Sequence, residues 1–378
     1  MKYYFSIVIL LCFFYSCSME KKTSVYLSNK KYELDTIFKK YSGDFATGYT
    51  GGLDLIVKDS IYKLVYNFCK FNKVKIVDIN SSKVTEIPNL NNECNYIHTD
   101  IKNHFIYLIN NENLVKIDKL NHSNAVFYPL KNFKEFNKTG LCSGISKFGS
   151  DERVNVPENV FYFRTYIDLS RNNGKYSNRV YNYPTFCKVN LDNFQFEFFG
   201  KDFDSNYGFN DVLYDLYVGD SIFVSYGSYS KIEIINTLNK KSIIKNIKSK
   251  YDTVSRIPMN YKFKKDDLMN QKSKITTLNS FYEPLFYNPL NKKYYRIFHT
   301  YLPEYDEEGL LNTEEEKLCI LMVIDENLNL EDEFILPIKA VSNFKLFPVK
   351  NGIEIILPKL FKDDKKNAVR AFLKITHN

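Results

Sequence analysis

The apolar positions of this chain fall in short runs separated by polar turns, and the stretch from Asn103 to Leu130 shows the unit most plainly. His104 to Ile109 (HFIYLI) is an aromatic and β-branched run, and Asn110 to Asn113 breaks it. Leu114 to Leu120 (LVKIDKL) is a second run, Asn121 to Asn124 turns the chain again, and Ala125 to Leu130 (AVFYPL) is a third. Asn, Asp and Ser suit such breaks, because their short polar side chains bond nearby backbone and tolerate left-handed conformation. The pattern predicts strand, turn, strand, turn, strand. No long segment carries helical periodicity.

The same strand ending recurs. An apolar run closes on Asp78, Asp118, Asn190, Asn236 and Asp325, and an unmarked version, Leu373 to Ile375, lies near the C-terminus. Markers 78 and 118, 190 and 236, and 325 and 375 are separated by the 40 to 50 residues of a four-stranded propeller blade. The two longer gaps take insertions at Asp168 to Tyr183 and Glu304 to Glu316. Central runs such as FIYLI and LCILMVI are apolar at consecutive positions. A sheet with one wet face would alternate, so both faces are expected to be buried. The expected fold is all-β: a six-bladed β-propeller filling residues 25–378, closed by an N-terminal strand. Val25 to Leu34 would pair with the C-terminal strand and remove the gap between first and last blades. A pair of β-sandwich domains is the rival architecture, and the even hairpin spacing favours the propeller.

Composition supports strands: 30 Tyr and 31 Phe supply core material, and Trp is absent. The net charge of +8 is spread as single lysines. The densest basic knot, Lys262, Lys264 and Lys265, is neutralised at once by Asp266 and Asp267. Without a basic stripe interleaved with stacking aromatics, nucleic acid is not an expected partner. The N-terminus is more informative. Lys2 precedes an apolar core, Phe5 to Phe14, that is too short to span a bilayer, and Ser16-Cys17 follows. This resembles a bacterial lipoprotein signal over residues 1–16, with Cys17 as the lipid attachment site and residues 17–24 as a tether. The implied address is the cell envelope, anchored by acyl chains to a bacterial membrane, the outer one. The alternative is an ordinary secretory signal in which Cys17 is incidental.

The chain has no HExxH, Walker loop, Rossmann glycine run or EF-hand loop. Gly140-Leu141-Cys142-Ser143-Gly144 has the spacing of a nucleophile elbow, but its flanks do not read as strand and helix, so it is taken as a loop. Cysteines 69, 94, 142, 187 and 319 include no CxxC and read as small buried hydrophobes. The five histidines show no metal spacing, and neither metal nor cofactor is expected. Arg296 and His299 share one strand, where alternation sets Tyr294, Arg296 and Phe298 against Tyr295, Ile297 and His299. Arg164 holds a comparable place in the third blade. Two readings stand for Arg164, Arg296 and His299. They line a ligand site and offer arginine to an anion, or the arginines bond carbonyls or a carboxylate between blades, as buried charge requires. The acid-rich loop from Glu304 to Glu316 would bind a cation or a basic partner, or simply be solvated.

Phe281 to Leu302 (FYEPLFYNPLNKKYYRIFHTYL) resembles a family of Bacteroidota envelope lipoproteins of unknown function. Tyr183-Pro184, the strand end Val189-Asn190-Leu191 and Phe194 to Phe199 fit that family's third blade. The resemblance implies a TolB-like six-bladed propeller on a lipid anchor, and it implies no activity. The expected function is a non-enzymatic binding or scaffold module for a protein or glycan, with contacts near Tyr176 to Tyr183 and Tyr301 to Tyr305. The competing expectation is a hydrolase or lyase acting on glycan or peptide at the propeller channel. That reading calls for paired carboxylates, or a His–carboxylate pair, converging at one channel mouth.

Overall fold

A computed structural model describes residues 32–42, the strands within 51–143, and residues 152–154, 156–167, 186–200, 213–254, 277–339, 346–363 and 367–377. The signal segment, Cys17, Val25 to Lys31 and the insertion around Tyr176 to Tyr183 lie outside the described residues.

The described residues form six sheets of four or five strands, antiparallel but for one short edge pair, taken almost in chain order. After β1 (Tyr32–Ser42), the first sheet holds β2 (Gly51–Lys58), β3 (Ile61–Phe68), β4 (Lys73–Asp78) and β5 (Val84–Ile87). The second holds β6 (Cys94–Thr99), β7 (Phe105–Asn110), β8 (Asn113–Asp118) and β9 (Ala125–Pro129). Next along the chain are β10 (Leu141–Ser143), β11 (Glu152–Val154), β12 (Val160–Ile167), β13 (Phe186–Asn190) and β14 (Phe196–Phe199). Of these, β10, β12, β13 and β14 make the third sheet. The fourth is β15 (Leu213–Val218), β16 (Ser221–Tyr226), β17 (Lys231–Asn236) and β18 (Ser242–Asn246). The fifth is β19 (Phe281–Tyr282), β20 (Phe286–Asn288), β21 (Lys293–His299), β22 (Leu318–Ile324) and β23 (Leu330–Lys339). The sixth is β24 (Leu346–Val349), β25 (Gly352–Asp363) and β26 (Asn367–His377), completed by β1 from the far end of the chain.

Three details depart from the sequence expectation. The strand that joins the C-terminal sheet runs from Tyr32 to Ser42, later than Val25 to Leu34, with Tyr32 opposite His377 and Ser42 opposite Asn367. Leu141–Ser143, read as a loop, is an edge strand pairing with β12. The fourth sheet gains β11, which pairs in parallel with β15. Both short strands carry too few residues for a visible period.

Successive sheets pack face to face. Tyr107 and Leu114 of the second sheet meet Phe161, Phe163 and Val189 of the third. On the third sheet's other face, Tyr162 and Phe186 meet Tyr217, Ile222 and Val224 of the fourth. The fourth meets the fifth through Leu216, Phe223, Phe298 and Met322. The fifth meets the sixth through Ile297, Leu321, Val323, Ile353 and Ile375. The fifth sheet is therefore covered on both sides, which explains the unbroken apolar run Cys319 to Ile324 in β22, all at 0% exposure. Each such aliphatic side chain contributes roughly 1.5–3 kcal/mol by leaving water.

The Asp and Asn markers close these hairpins. Asn236 Oδ1 accepts the amides of Leu238 and Asn239, both at 3.0 Å, and Lys240 then turns left-handed at φ 61°. Asn190 and Asn288 make the matching bonds to Asp192 and Leu290, followed by positive φ at Phe194 and Lys292. A second asparagine three residues on (Asn193, Asn239, Asn291) caps the amide two residues beyond itself.

Candidate functional site

The ionisable side chains of greatest interest gather where the β19–β20 edge of the fifth sheet is interrupted. Between β19 and β20 the chain leaves the ladder at Glu283-Pro284-Leu285, and the Glu283 amide donates to the Ile297 carbonyl at 2.8 Å. Glu283 then serves both faces of the sheet. Its carbonyl accepts Arg296 Nε at 3.0 Å, and its carboxylate Oε1 lies 3.1 Å from His299 Nε2.

Toward the fourth sheet, an Arg296 terminal nitrogen donates to the Tyr226 carbonyl at 2.7 Å, and the guanidinium lies 4.4 Å from the Tyr282 ring centre. Tyr282 itself donates through its hydroxyl to Asp252 at 2.8 Å and through its amide to the Gly227 carbonyl at 2.7 Å. Toward the sixth sheet, Asn288 Nδ2 donates to the carbonyls of Val349 at 2.9 Å and Gly352 at 2.6 Å. Gly352 has no room for a side chain, because a Cβ there would sit 1.8 Å from the Ile375 carbonyl oxygen. Side-chain donors thus bind the fifth sheet to backbone carbonyls on both neighbours.

On the face shared with the sixth sheet, His299 stacks on Phe281 with ring centres 4.1 Å apart and planes 14° apart. Its Nδ1 lies 3.7 Å from Cys319 Sγ. With Nε2 donating to Glu283, Nδ1 accepts from the thiol. Thiol, imidazole and carboxylate therefore follow in the order of an activated nucleophile, its base and the group that orients the base. Burial argues against that use. Arg296, His299 and Cys319 are 0% exposed, and Glu283 is 4% exposed. Burial, reinforced by the Glu283 charge, pushes the Cys319 thiol up to about 12, so the reactive thiolate is suppressed. What the arrangement does is satisfy polar groups inside a dry interface.

This cluster also lies at the root of an exposed loop. β21 ends at His299 and β22 begins at Leu318, and the residues between them project from the sheet. Thr300 and Leu318 bond across the root, amide to carbonyl at 3.1 Å and amide to Oγ1 at 3.2 Å. Lys317 is buried there, donating to the Asn279 carbonyl with its ammonium 4.9 Å from the Phe281 ring centre. The loop is ordered by its own bonds. Tyr305 and Leu311 form a bridge, and the Asn312 amide donates to the Glu304 carbonyl at 3.0 Å. Asp306 Oδ1 accepts the amides of Glu308 at 2.9 Å and Leu310 at 2.7 Å, and Gly309 supplies the left-handed turn at φ 79°. A capping box joins Thr313 and Glu316. The result exposes Tyr305 (55%), Leu310 (62%) and Leu311 (64%).

The structure brings Arg296 and His299 together through Glu283, on opposite faces as alternation predicts. Arg164 lies apart from them, half-buried on β12 opposite Phe186 in the third sheet. Glu283, Lys317 and Cys319 were not singled out as chemistry by sequence. Cys319 had a usable signal, since folding β21 onto β22 sets it opposite His299. Among the described residues, no group of three His, Cys, Asp or Glu side chains is placed to hold a metal ion. An open groove of about 790 Å³ runs along β14, lined by Lys188, Phe194, Phe196, Glu197 and Phe198. Its charges are paired, with Glu197 3.8 Å from Lys188 and 3.1 Å from Lys240.

No family model and no curated protein matches this chain. Solved structures do. A member of the DUF4221 family from Bacteroides vulgatus is similar at 15% identity and TM-score 0.63, covering 92% of this chain and 99% of that one. A candidate exported protein from Bacteroides fragilis is similar at 11% identity and TM-score 0.49, covering 91% and 95%. Regucalcin from Agrobacterium tumefaciens, a calcium-binding protein, is similar at 8% identity and TM-score 0.42, covering 88% and 92%. At such identities the first likeness shows a shared all-β fold and nothing of activity.

Proposed function

We propose that this chain is a lipid-anchored protein of the bacterial cell envelope whose six sheets are the blades of a β-propeller serving as a non-enzymatic binding or scaffold module. The β1–β26 pairing carries the architectural part. A strand from the start of the chain completes the last sheet, as ring closure requires. The ordered packing of second on third, third on fourth, fourth on fifth and fifth on sixth sheets supports the same reading. The sequence Lys2, Phe5 to Phe14, Ser16-Cys17 supports the anchor, and likeness to a DUF4221 protein fits an uncharacterised Bacteroidota lineage.

Binding rather than catalysis is supported by the closure of the one His–carboxylate pair described above. A hydrolase or lyase needs its acid and base within reach of substrate. His299 is stacked against Phe281, and both it and Glu283 are out of water.

Two experiments test the proposal. Labelled palmitate should enter the protein in a bacterial host and fail to enter a Cys17→Ser variant; equal labelling of both rejects the anchor. Deleting residues 24–42 should abolish cooperative unfolding at the parent temperature, and a deletion that melts like the parent rejects closure by β1.

A further inference from the structure

We infer that the 301–316 loop is the docking surface of the module, and that it takes a protein segment carrying basic and apolar side chains together. This rests on the binding-module reading above and names the partner's chemistry. Three observations carry it. First, Leu310 and Leu311 are adjacent and mostly exposed, and Tyr305, bridged to Leu311, is exposed beside them. Second, residues 301–316 hold seven acidic side chains and no basic one, within a chain of net charge +8. Third, the loop is held in shape before any partner arrives, by the Asp306 and Glu316 carboxylates and by its buried root. A preformed surface loses little conformational freedom on binding.

The charge selects among occupants. An apolar tip with an acidic surround repels anionic headgroups and phosphate backbones, and it complements lysine and arginine. Asp306 and Glu316 are committed to the loop's own backbone, which leaves Glu307 and Glu308 at the tip to meet the partner's cations. Leu310, Leu311 and Tyr305 would meet its apolar side chains. Lys317, buried at the root and bonded to the Asn279 carbonyl, acts as the positioning residue for the loop's end.

The test uses the mature chain and a fluorescein-labelled peptide alternating lysine and leucine. Comparison probes are a glutamate–leucine peptide, a lysine–serine peptide and phosphatidylglycerol vesicles. The wild type should bind the lysine–leucine peptide above all of these. Leu310→Ser with Leu311→Ser should weaken binding at least tenfold, and Glu307→Gln with Glu308→Gln at least threefold, while both variants melt with the parent. Equal binding by the serine variant overturns the proposal. So does absence of lysine–leucine binding, preference for the vesicles, or self-association that the serine substitutions abolish. Capture from detergent-solubilised envelope separates the two levels. A partner held equally by wild type and serine variant overturns the docking surface and leaves the module standing. An empty capture by wild type overturns the module itself.

Discussion

The root and the tip of the β21–β22 connection both carry many ionisable side chains, and they use them in opposite ways. At the root, Arg296, His299, Glu283 and Lys317 are out of water, and each has a protein partner. At the tip, Glu307 and Glu308 stand in solvent beside Leu310 and Leu311. A buried charge must be matched locally or it unfolds the interface, whereas an exposed one stays available for recognition. The lesson is that the chemically suggestive cluster, with its thiol–imidazole–carboxylate order, is the structural one. The plainer acidic loop is the one whose side chains stand in solvent.

The contrast can be broken most forcefully at Arg296. Arg296→Met takes the guanidinium away from the Glu283 and Tyr226 carbonyls, leaving Tyr226 only the longer bond from the Tyr229 amide at 3.3 Å, and a loss of about 3 kcal/mol is expected in urea unfolding. A change below about 0.5 kcal/mol would mean the arginine is not holding the sheets. Asn288→Asp should cost about 2 kcal/mol, because it sets carboxylate oxygens against the Val349 and Gly352 carbonyls. An unaltered melting temperature would count against that contact.

Alkaline pH tests burial across the core, with Cys319 as its probe at the root. Burial pushes the thiols of Cys187 and Cys319, ordinarily near 9, and the Tyr295 phenol, ordinarily near 10, up to about 12. The folded state holds these protons more tightly than the unfolded chain. The stability they contribute is therefore intact below pH 9 and is lost as pH rises through 12. Urea midpoints should fall between pH 8 and pH 11; a constant or rising midpoint contradicts this. Cys319 should also escape iodoacetamide at pH 8 until the chain unfolds, as read by peptide mass spectrometry.

The smallest effect belongs to the tip. Leu310→Ser and Leu311→Ser should each change stability by less than about 0.5 kcal/mol, since both side chains are already in water. A loss near that of Arg296→Met would show that the leucines pack somewhere, and would erase the distinction.

Much of the strand pattern was legible because it is local. Val189-Asn190, Ile235-Asn236 and Ile324-Asp325 mark hairpin ends, and the asparagine or aspartate oxygen caps the amides of the turn that follows. The doubly apolar run Cys319 to Ile324 announced a strand covered on both faces. Of the expected pairing strand Val25 to Leu34, the described part starts at Tyr32, and the ladder with β26 runs on to Ser42, because YELDTIFKKYS is as strand-like as VYLSNKKYEL and only the partner strand decides how far pairing extends. The root cluster was hidden for a different reason. Glu283 is 16 residues before His299, and Cys319 is 20 after it. Nothing local in the sequence says that an interrupted edge strand will bring all three together.

The most direct test of the contrast is amide hydrogen exchange in a Lys317→Met variant, which removes a buried cation from the root and touches nothing at the tip. If the root holds the loop, the amides of Leu310, Asn312 and Leu318 should exchange at least tenfold faster than in the wild type, with β24 and β25 unchanged. Unchanged protection at those three amides would contradict the account.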